Sequence, residues 1–357
     1  MKLVKQLVRP GILECQPYRA SSVDCKVKLD AMESPYPLPD DIKQQWMDCL
    51  KNTSINRYPD PQGMIVKNRL REFMSIPDSL SLVLGNGSDE LIQMICMALY
   101  GQGRPFLAPI PTFVIYQLMA DLFATDLMTV QLNAEDFSLD YMTTLEAIDK
   151  FNPVLIFIAN PNNPTGNLFD EKLIIEIIDR TKGLVVIDEA YQLYSGYSIL
   201  DQISKYENLV VIRTLSKYGM AGLRLGCMIG PVQWIEQFEK IRLPYNINSL
   251  SQLSADFLLS HRSVIEGWIE TICQEREQLF TELTMINGVK AWPSKTNFIM
   301  FRTLSRPADE IHQGLIARGI LVKNLHGSHP LLSNCLRVSI GTENENRCFL
   351  DELKQLL

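Results

Sequence analysis

One run of the chain combines the residue types needed to bind a phosphorylated aldehyde covalently. Residues 213–226 read RTLSKYGMAGLRLG and follow an apolar segment, residues 209–212, that is typical of a buried strand. Lys217 lies in this run among hydroxyls and small residues, and a lysine amine can form a Schiff base with an aldehyde. Burial and neighbouring cations would lower the pKa of such a lysine, so that its amine could also move a proton. Two hydroxyls and a guanidinium in the same run are suited to a phosphate: Thr214, Ser216 and Arg224.

Two further segments supply groups that could hold an aromatic ring beside this lysine. Asp188 ends an apolar run at 184–187 and would point into the crevice at the carboxyl end of a strand. A carboxylate that faces a ring nitrogen keeps it protonated, which makes the ring a better electron sink. Tyr191 and Asn163 could hydrogen-bond a phenolic oxygen of the ring, although Asn163 also suits the turn sequence at 160–166. Together with the lysine, these groups predict a pyridoxal-phosphate (PLP) site.

A glycine-rich turn earlier in the chain predicts a second set of phosphate ligands. Residues 85–89 read GNGSD and connect a short apolar run to a helical pattern at 88–100. The backbone amides of Ser88 and Asp89 would lie at the helix N-terminus, where anions bind readily. We expect Ser88 to be the N-cap and the Asp89 carboxylate to cap the helix. Phe113 is a candidate for stacking on the cofactor ring, with an ordinary core aromatic as the alternative.

Two other features concern substrate and metal binding. Arg337 lies in an apolar strand pattern at 336–340, and an arginine there is costly unless it meets an anion. A bidentate contact with a substrate carboxylate or phosphate would satisfy it, and a structural salt bridge is the alternative. His326 and His329 stand three residues apart in a loop without a nearby cysteine. We therefore expect a solvent-facing pair of histidines and no metal site.

The composition disfavours several classes of function. The chain has 357 residues and a net charge of −7, which argues against nucleic acid and anionic membranes as partners. It contains no apolar stretch long enough to span a membrane and no convincing signal peptide. Its eight scattered cysteines form no Cys-x-x-Cys pair, which is typical of a reduced cytoplasmic protein. Neither a Gly-x-Ser-x-Gly elbow nor a Walker-type loop is present.

The order of apolar and helical segments predicts an α/β fold with two domains. Short apolar runs alternate with helical patterns through the middle of the chain, which predicts a mostly parallel central sheet covered on both faces. A long helical stretch at 251–285 then precedes strand and helix patterns that indicate an α+β lobe. The proline-rich start of the chain predicts an arm with few regular elements. We expect a large PLP-binding domain at 46–246, an N-terminal arm at 1–45 and a small α+β domain at 247–357.

Three short pieces of the chain are more specific than the lysine and aspartate segments. They read RYPD at 57–60, PYNIN at 244–248 and LRVSIGT at 336–342. Together with the segments described above, they resemble the histidinol-phosphate aminotransferases, a family of fold type I PLP-dependent enzymes. The resemblance extends over nearly the whole chain. It implies a large domain, a small α+β domain and pyridoxal 5'-phosphate as the cofactor.

The resemblance also implies a role for each candidate residue. Lys217 would carry the cofactor and shuttle the proton. Tyr58 would reach the phosphate of the neighbouring subunit's cofactor, which implies an obligate homodimer with shared active sites. The ring would be held by Asp188, Tyr191 and Asn163, and the phosphate by Ser88, Asp89, Thr214, Ser216 and Arg224. The substrate's anionic end would meet Tyr18, Asn163 and Arg337.

The implied reaction is transamination between glutamate and imidazole-acetol phosphate, giving 2-oxoglutarate and L-histidinol phosphate in histidine biosynthesis. Met32 and Ser34 replace asparagines usual in the N-terminal motif, and Lys323 stands where many members have arginine. A lysine keeps the charge but loses the bidentate fork. Because these departures lie at the substrate end, three alternatives stay open: an aromatic amino-acid aminotransferase, a threonine-phosphate decarboxylase, and a non-catalytic binding protein on the same scaffold.

Overall fold

Two sheets organise the protein. The structure is a computed structural model that describes residues 2–15, 17 and 23–357. The strands in this part of the chain are β1 (Val27–Leu29), β2 (Leu80–Gly85), β3 (Phe106–Ile110), β4 (Leu127–Gln131), β5 (Leu155–Ala159), β6 (Leu184–Asp188), β7 (Leu209–Thr214), β8 (Gly226–Pro231), β9 (Val289–Ala291), β10 (Phe298–Thr303), β11 (Ile320–Asn324) and β12 (Cys335–Ser339).

The α-helices of the same part of the chain fall between and after these strands. They are α1 (Lys2–Leu7), α2 (Pro10–Glu14), α3 (Asp40–Leu50), α4 (Met64–Met74), α5 (Ser88–Leu99), α6 (Ile115–Leu122), α7 (Tyr141–Phe151), α8 (Glu171–Arg180), α9 (Gln192–Ser195), α10 (Val232–Ile241), α11 (Ser249–Ser260), α12 (Arg262–Thr284), α13 (Ala308–Ala317) and α14 (Glu343–Leu356). None of these described helices combines the length and apolar composition needed to cross a membrane.

The larger sheet has seven strands in the order β2-β8-β7-β6-β5-β3-β4. Strands β4, β3, β5, β6 and β7 are parallel to one another, and β8 is antiparallel to both β7 and β2. Every residue of β5, β6 and β7 is buried, as expected when helices cover both faces. The predicted α/β fold with a mostly parallel central sheet is therefore confirmed.

The smaller sheet has five strands in the order β1-β11-β12-β10-β9. Strand β1 comes from the start of the chain and pairs in parallel with β11. Before α3, the described residues contain three short regular elements, α1, α2 and β1, and the assignment of this segment as an arm stays a prediction. Short helices are marginal on their own, and α2 packs against α6 of the large-sheet side.

The prediction of one long helical stretch at 251–285 is wrong in one respect, because the helix is interrupted at His261. Helix α11 ends at Ser260 and α12 begins at Arg262. The Phe257 carbonyl accepts from the Ser260 hydroxyl at 2.6 Å and lies 2.8 Å from His261 Nδ1, so side chains compete for helical hydrogen bonds. Helix α11 packs against α3 and α4, whereas α12 packs against β9 and β10. The domain boundaries given above stay a prediction.

Candidate active site

A cleft at the carboxyl ends of β5, β6 and β7 gathers most of the predicted site residues. It encloses about 580 Å³ between its walls, part of it open to solvent. This edge is where parallel α/β sheets bind ligands, because loops there leave the strand ends accessible. The cleft is lined by ten of the predicted residues, Ser88, Asp89, Phe113, Asn163, Asp188, Tyr191, Thr214, Ser216, Lys217 and Arg224, and by Met32, Ala159, Pro161 and Ala190.

Lys217 lies in a short 3-10 turn, Leu215–Lys217, directly after β7. Burial lowers the pKa of its amine to about 8, and the charge of Arg337 acts in the same direction. Lys217 Nζ also lies 3.4 Å from the carbonyl oxygen of Ala31, near the start of the chain. An amine with this pKa is partly neutral near physiological pH, as a nucleophile or a base requires.

Asp188 closes β6 with a buried carboxylate that is 4% exposed. It accepts hydrogen bonds from the Tyr116 hydroxyl at 2.9 Å and the Ala190 amide at 3.1 Å. Burial raises the pKa of this carboxyl from 3.8 to about 6, although both hydrogen bonds act against the rise. The sequence reasoning missed Tyr116, which stacks face to face on Phe157 at 4.6 Å. A buried carboxylate with two donors suits a cationic ring nitrogen.

A chain of polar contacts links Tyr191 to the buried arginine of β12. Asn163 Nδ2 donates to the Tyr191 hydroxyl at 3.3 Å, and Asn163 Oδ1 accepts from Arg337 Nη1 at 2.6 Å. Arg337 Nη2 donates to the Asp30 carbonyl at 3.2 Å. Arg337 therefore reaches the lining of the cleft through Asn163 and is also bound to the segment that precedes Met32. The Tyr191 hydroxyl is 3.2 Å from the sulfur of Met32. Burial raises the pKa of Tyr191, which keeps the hydroxyl protonated.

The hydroxyls of the lysine run converge with the guanidinium at one end of the cleft. Thr214 Oγ1 and Ser216 Oγ are 3.0 Å apart, and Arg224 Nη1 donates to Ser216 Oγ at 3.3 Å. Arg224 Nη2 lies 3.6 Å from the Asp89 carboxylate, and both side chains are about half exposed. These groups are the hydrogen-bond donors and the fixed cation that a phosphate needs.

The start of α5 differs from the prediction at its cap. Gly87 is the N-cap and Ser88 is the first helical residue, so the assignment of Ser88 as N-cap is wrong. The Asp89 carboxylate does not cap the helix either, because it turns towards Arg224. Glu90 instead closes the turn by accepting from the Asn86 amide at 2.6 Å. No side chain caps α5, so its first amides are available to an anion.

Two glycines allow the elements at this end of the cleft to approach one another closely. A Cβ on Gly226 of β8 would lie 2.8 Å from the carbonyl carbon of Gly87 and 2.9 Å from the amide nitrogen of Ser88. Gly87 has a φ of +80°, and a Cβ there would lie 2.7 Å from Arg224 Nη2. The strand, the helix start and the guanidinium therefore approach closely only because side chains are absent. The residues present fit PLP, because this end of the cleft offers donors and a cation to a phosphate, and Asp188 and Lys217 offer a carboxylate and an amine to a ring.

Two of the predicted residues differ in where they lie relative to the cleft: Phe113 lines it at the wall, and Tyr58 is not among the residues that line it. Phe113 lies on the cleft wall and meets the Tyr116 ring edge to face at 5.8 Å. Tyr58 does not line the cleft; it is 81% exposed and stacks on Tyr245 at 4.4 Å. Tyr18 lies outside the described residues. The effect of each of these three residues on ligand binding stays a prediction.

The loop histidines cap main-chain turns. His326 Nδ1 accepts from the Asn334 amide at 2.9 Å, and His329 Nδ1 accepts from the Leu331 amide at 3.2 Å. Within residues 2–15, 17 and 23–357, no three His, Cys, Asp or Glu side chains are grouped as metal ligands would be.

A buried ion pair lies directly behind the cleft and was not predicted. Glu189 follows Asp188, Arg213 precedes Thr214, and their side chains are 0% and 3% exposed. The Glu189 carboxylate accepts from Arg213 Nε at 2.9 Å and Nη2 at 2.8 Å, and also from the Ser198 hydroxyl. The pair joins the ends of β6 and β7, the two strands that carry Asp188 and Lys217.

Comparison with known proteins extends the resemblance seen in the sequence. The model of the family "Aminotransferase class I and II" matches residues 24–353. Histidinol-phosphate aminotransferase 2 of Nitrosococcus oceani is 45% identical over 98% of this chain and 97% of its own length. The histidinol-phosphate aminotransferase of Chromobacterium violaceum is 42% identical over 99% of both chains. The solved histidinol-phosphate aminotransferase of Sinorhizobium meliloti, in complex with PLP, shares the fold with a TM-score of 0.87 at 20% identity, over 98% of this chain and 97% of that one.

Proposed function

This chain belongs to the histidinol-phosphate aminotransferases, within the class I and II aminotransferases, and we propose that its cleft transfers an amino group from glutamate to imidazole-acetol phosphate. The products are 2-oxoglutarate and L-histidinol phosphate, as in histidine biosynthesis. PLP is the cofactor. The observation that carries the proposal is the convergence of three groups on one cleft: the Lys217 amine, the Asp188 carboxylate and the uncapped start of α5.

The residues that would hold PLP divide between its two ends. The phosphate end would be bound by Thr214, Ser216, Arg224 and the first amides of α5, all of which line the cleft. Bound PLP supplies an electron sink for the charge left on the substrate carbon when its proton departs. The Asp188 carboxylate would keep the ring nitrogen protonated, and the Tyr191 hydroxyl and Asn163 amide would donate hydrogen bonds to the ring's phenolic oxygen.

Lys217 would have two tasks. Its amine would be the attachment point for the cofactor, and the same amine would take the proton from the substrate Cα and return it during the transfer. The pKa of about 8 supports the second task, because a base near the ambient pH is both available and strong enough.

The substrate end would be formed by Arg337 and Asn163, with Tyr18 completing it. Arg337 is buried, and its contact with Asn163 Oδ1 brings its charge to the cleft wall. A substrate carboxylate or phosphate there would accept charge-assisted hydrogen bonds from the guanidinium.

A homodimer with shared sites is part of the proposal. The exposed Tyr58 and Tyr245 rings stack on each other beside further exposed apolar side chains. Ile55 is 82% exposed and Leu243 is 70% exposed, and such patches mark interaction surfaces. Tyr58 would reach the cofactor phosphate of the partner subunit. The cytoplasm is the proposed compartment, because all eight cysteines are free thiols.

The test is a single-turnover spectral titration of the holoenzyme with histidinol phosphate, phenylalanine and threonine phosphate in parallel. We expect the visible absorption of bound PLP to be lost fastest with histidinol phosphate, with the ketone as product. Faster reaction with phenylalanine would identify an aromatic aminotransferase, and carbon dioxide from threonine phosphate would identify a decarboxylase. No spectral response to any of the three would indicate a binding protein.

Two lysine variants complete this test. Lys217→Ala should abolish turnover and leave the far-UV circular dichroism unchanged. The matched control is Lys205→Ala, which removes an exposed lysine outside the cleft and should retain turnover. Substantial transamination by the Lys217 variant would show that the lysine is misassigned.

A further inference from the structure

Met32 has a backbone conformation that its side chain does not favour. Its φ is +56°, in the left-handed region where glycine and asparagine are more common than methionine. Both of its main-chain polar groups are held from the small sheet. Its amide donates to Ser339 Oγ at 2.8 Å, and its carbonyl accepts from Asn297 Nδ2 at 2.9 Å. The surroundings therefore fix where this side chain points.

The Met32 side chain lies on the cleft wall beside a proposed cofactor ligand. Its sulfur accepts a hydrogen bond from the Tyr191 hydroxyl at 3.2 Å. Asn163 Nδ2 donates to the same hydroxyl at 3.3 Å, so the single hydroxyl proton is directed to the sulfur. Tyr191 is 4% exposed, and a buried hydroxyl without an acceptor would be destabilising.

We infer that Met32 is a positioning residue for Tyr191, an inference that rests on the proposed role of Tyr191 as a ligand of the cofactor's phenolic oxygen. The thioether is a weak acceptor. It accepts the hydrogen bond of the Tyr191 hydroxyl while no stronger acceptor is near. When a phenolic oxygen binds in the cleft, the hydroxyl can donate to that oxygen instead. Met32 thus holds the hydroxyl at the cleft wall before the cofactor binds, and afterwards it competes only weakly with the phenolic oxygen for the hydroxyl's hydrogen bond.

A carboxamide at this position would act differently. An asparagine adopts a positive φ more readily than methionine, so Met32→Asn should not strain the main chain. Its amide oxygen is a stronger acceptor than sulfur and would compete with the phenolic oxygen for the Tyr191 proton. Met32→Leu is the opposite change, because it keeps the side-chain volume and the unfavourable φ while removing the acceptor. The two variants should therefore move cofactor binding in opposite directions.

The experiment is a double-mutant cycle between Met32→Leu and Tyr191→Phe, with two readouts. One is the PLP dissociation constant of the cofactor-free enzyme, and the other is the pH midpoint of the holoenzyme's visible absorption. Removing the competing acceptor should lower the dissociation constant roughly threefold and lower the midpoint by a few tenths of a pH unit. Both effects should disappear in the Tyr191→Phe background. Met32→Asn should raise both quantities.

Three results would overturn the inference. One is no change with Met32→Leu. Another is the same change with and without the Tyr191 hydroxyl, which would mean that Met32 acts through packing alone. The third is a Met32→Asn effect in the same direction as that of Met32→Leu. If Tyr191→Phe by itself changes neither readout, the proposed role of Tyr191 fails, while the titration with histidinol phosphate still tests the reaction independently.

Discussion

The buried carboxylate of Asp188 should make the cofactor-free protein less stable at neutral pH than in mild acid. The pKa of this carboxyl is raised from 3.8 to about 6 because burial penalises its charged form. A group with a raised folded-state pKa contributes stability that is fully present below 3.8 and is lost as pH rises through 6. Relative to the protonated carboxyl, ionisation of Asp188 lowers the free energy of unfolding by about 1.5 kcal/mol at pH 5 and about 3 kcal/mol at pH 8.

Asp188→Asn removes the charge and nearly keeps the shape, so it should recover this stability. The variant should exceed the wild type by an amount that grows from about 1.5 to about 3 kcal/mol between pH 5 and pH 8. Urea unfolding of both cofactor-free proteins, followed by circular dichroism at several pH values, measures the difference. An advantage that does not change with pH would refute the reasoning. The same variant should lose most of its transamination rate, because the ring nitrogen loses its carboxylate partner.

Three further outcomes are expected at the site. The rate of PLP incorporation into the cofactor-free protein, measured by stopped flow, should rise about tenfold per pH unit and level off above pH 8. The reason is that only the neutral Lys217 amine reacts. A pH–rate curve with its midpoint near 10.5 would contradict this. Gly226→Ala should weaken PLP binding roughly tenfold in equilibrium dialysis, because a Cβ overlaps Gly87; an unchanged affinity would mean that the close approach is unimportant. Arg213→Met should cost about 3–5 kcal/mol in urea unfolding and Arg213→Met/Glu189→Leu much less, whereas equal losses would argue against an unpaired buried charge.

The sequence was sufficient to predict the residues that directly follow buried strands. Asp188 and Thr214 are the last residues of β6 and β7. The apolar runs of these two strands predict fully buried parallel strands. Because the carboxyl ends of parallel strands meet at one edge, these residues and Lys217 had to lie near one another. The order of strand and helix patterns fixed the fold class for the same reason, since each element signals itself locally.

Contacts between distant parts of the chain could not be predicted in this way. Tyr116 reaches Asp188 over 72 positions, and Met32 reaches Tyr191 over 159 positions. No periodicity along the chain encodes such a contact, because it depends on how whole elements pack. The prediction of the α5 cap failed for a local reason. The positive φ of Gly87 and the hydrogen bond from the Asn86 amide to Glu90 outweighed the usual preference for serine at the N-cap.

The pairing of β1 with β11 has a consequence for the order of events during synthesis. Val27 lies beside Ile320, so β1, the first strand among the described residues, cannot pair until a partner about 290 residues further along the chain has been made. At translation rates of roughly 5–20 residues per second, the wait lasts roughly 15–60 s. The large sheet, whose last strand is β8, emerges from the ribosome well before then. The segment that brings Ala31 and Met32 to Lys217 is therefore among the first parts of the chain to be made and among the last to reach its place.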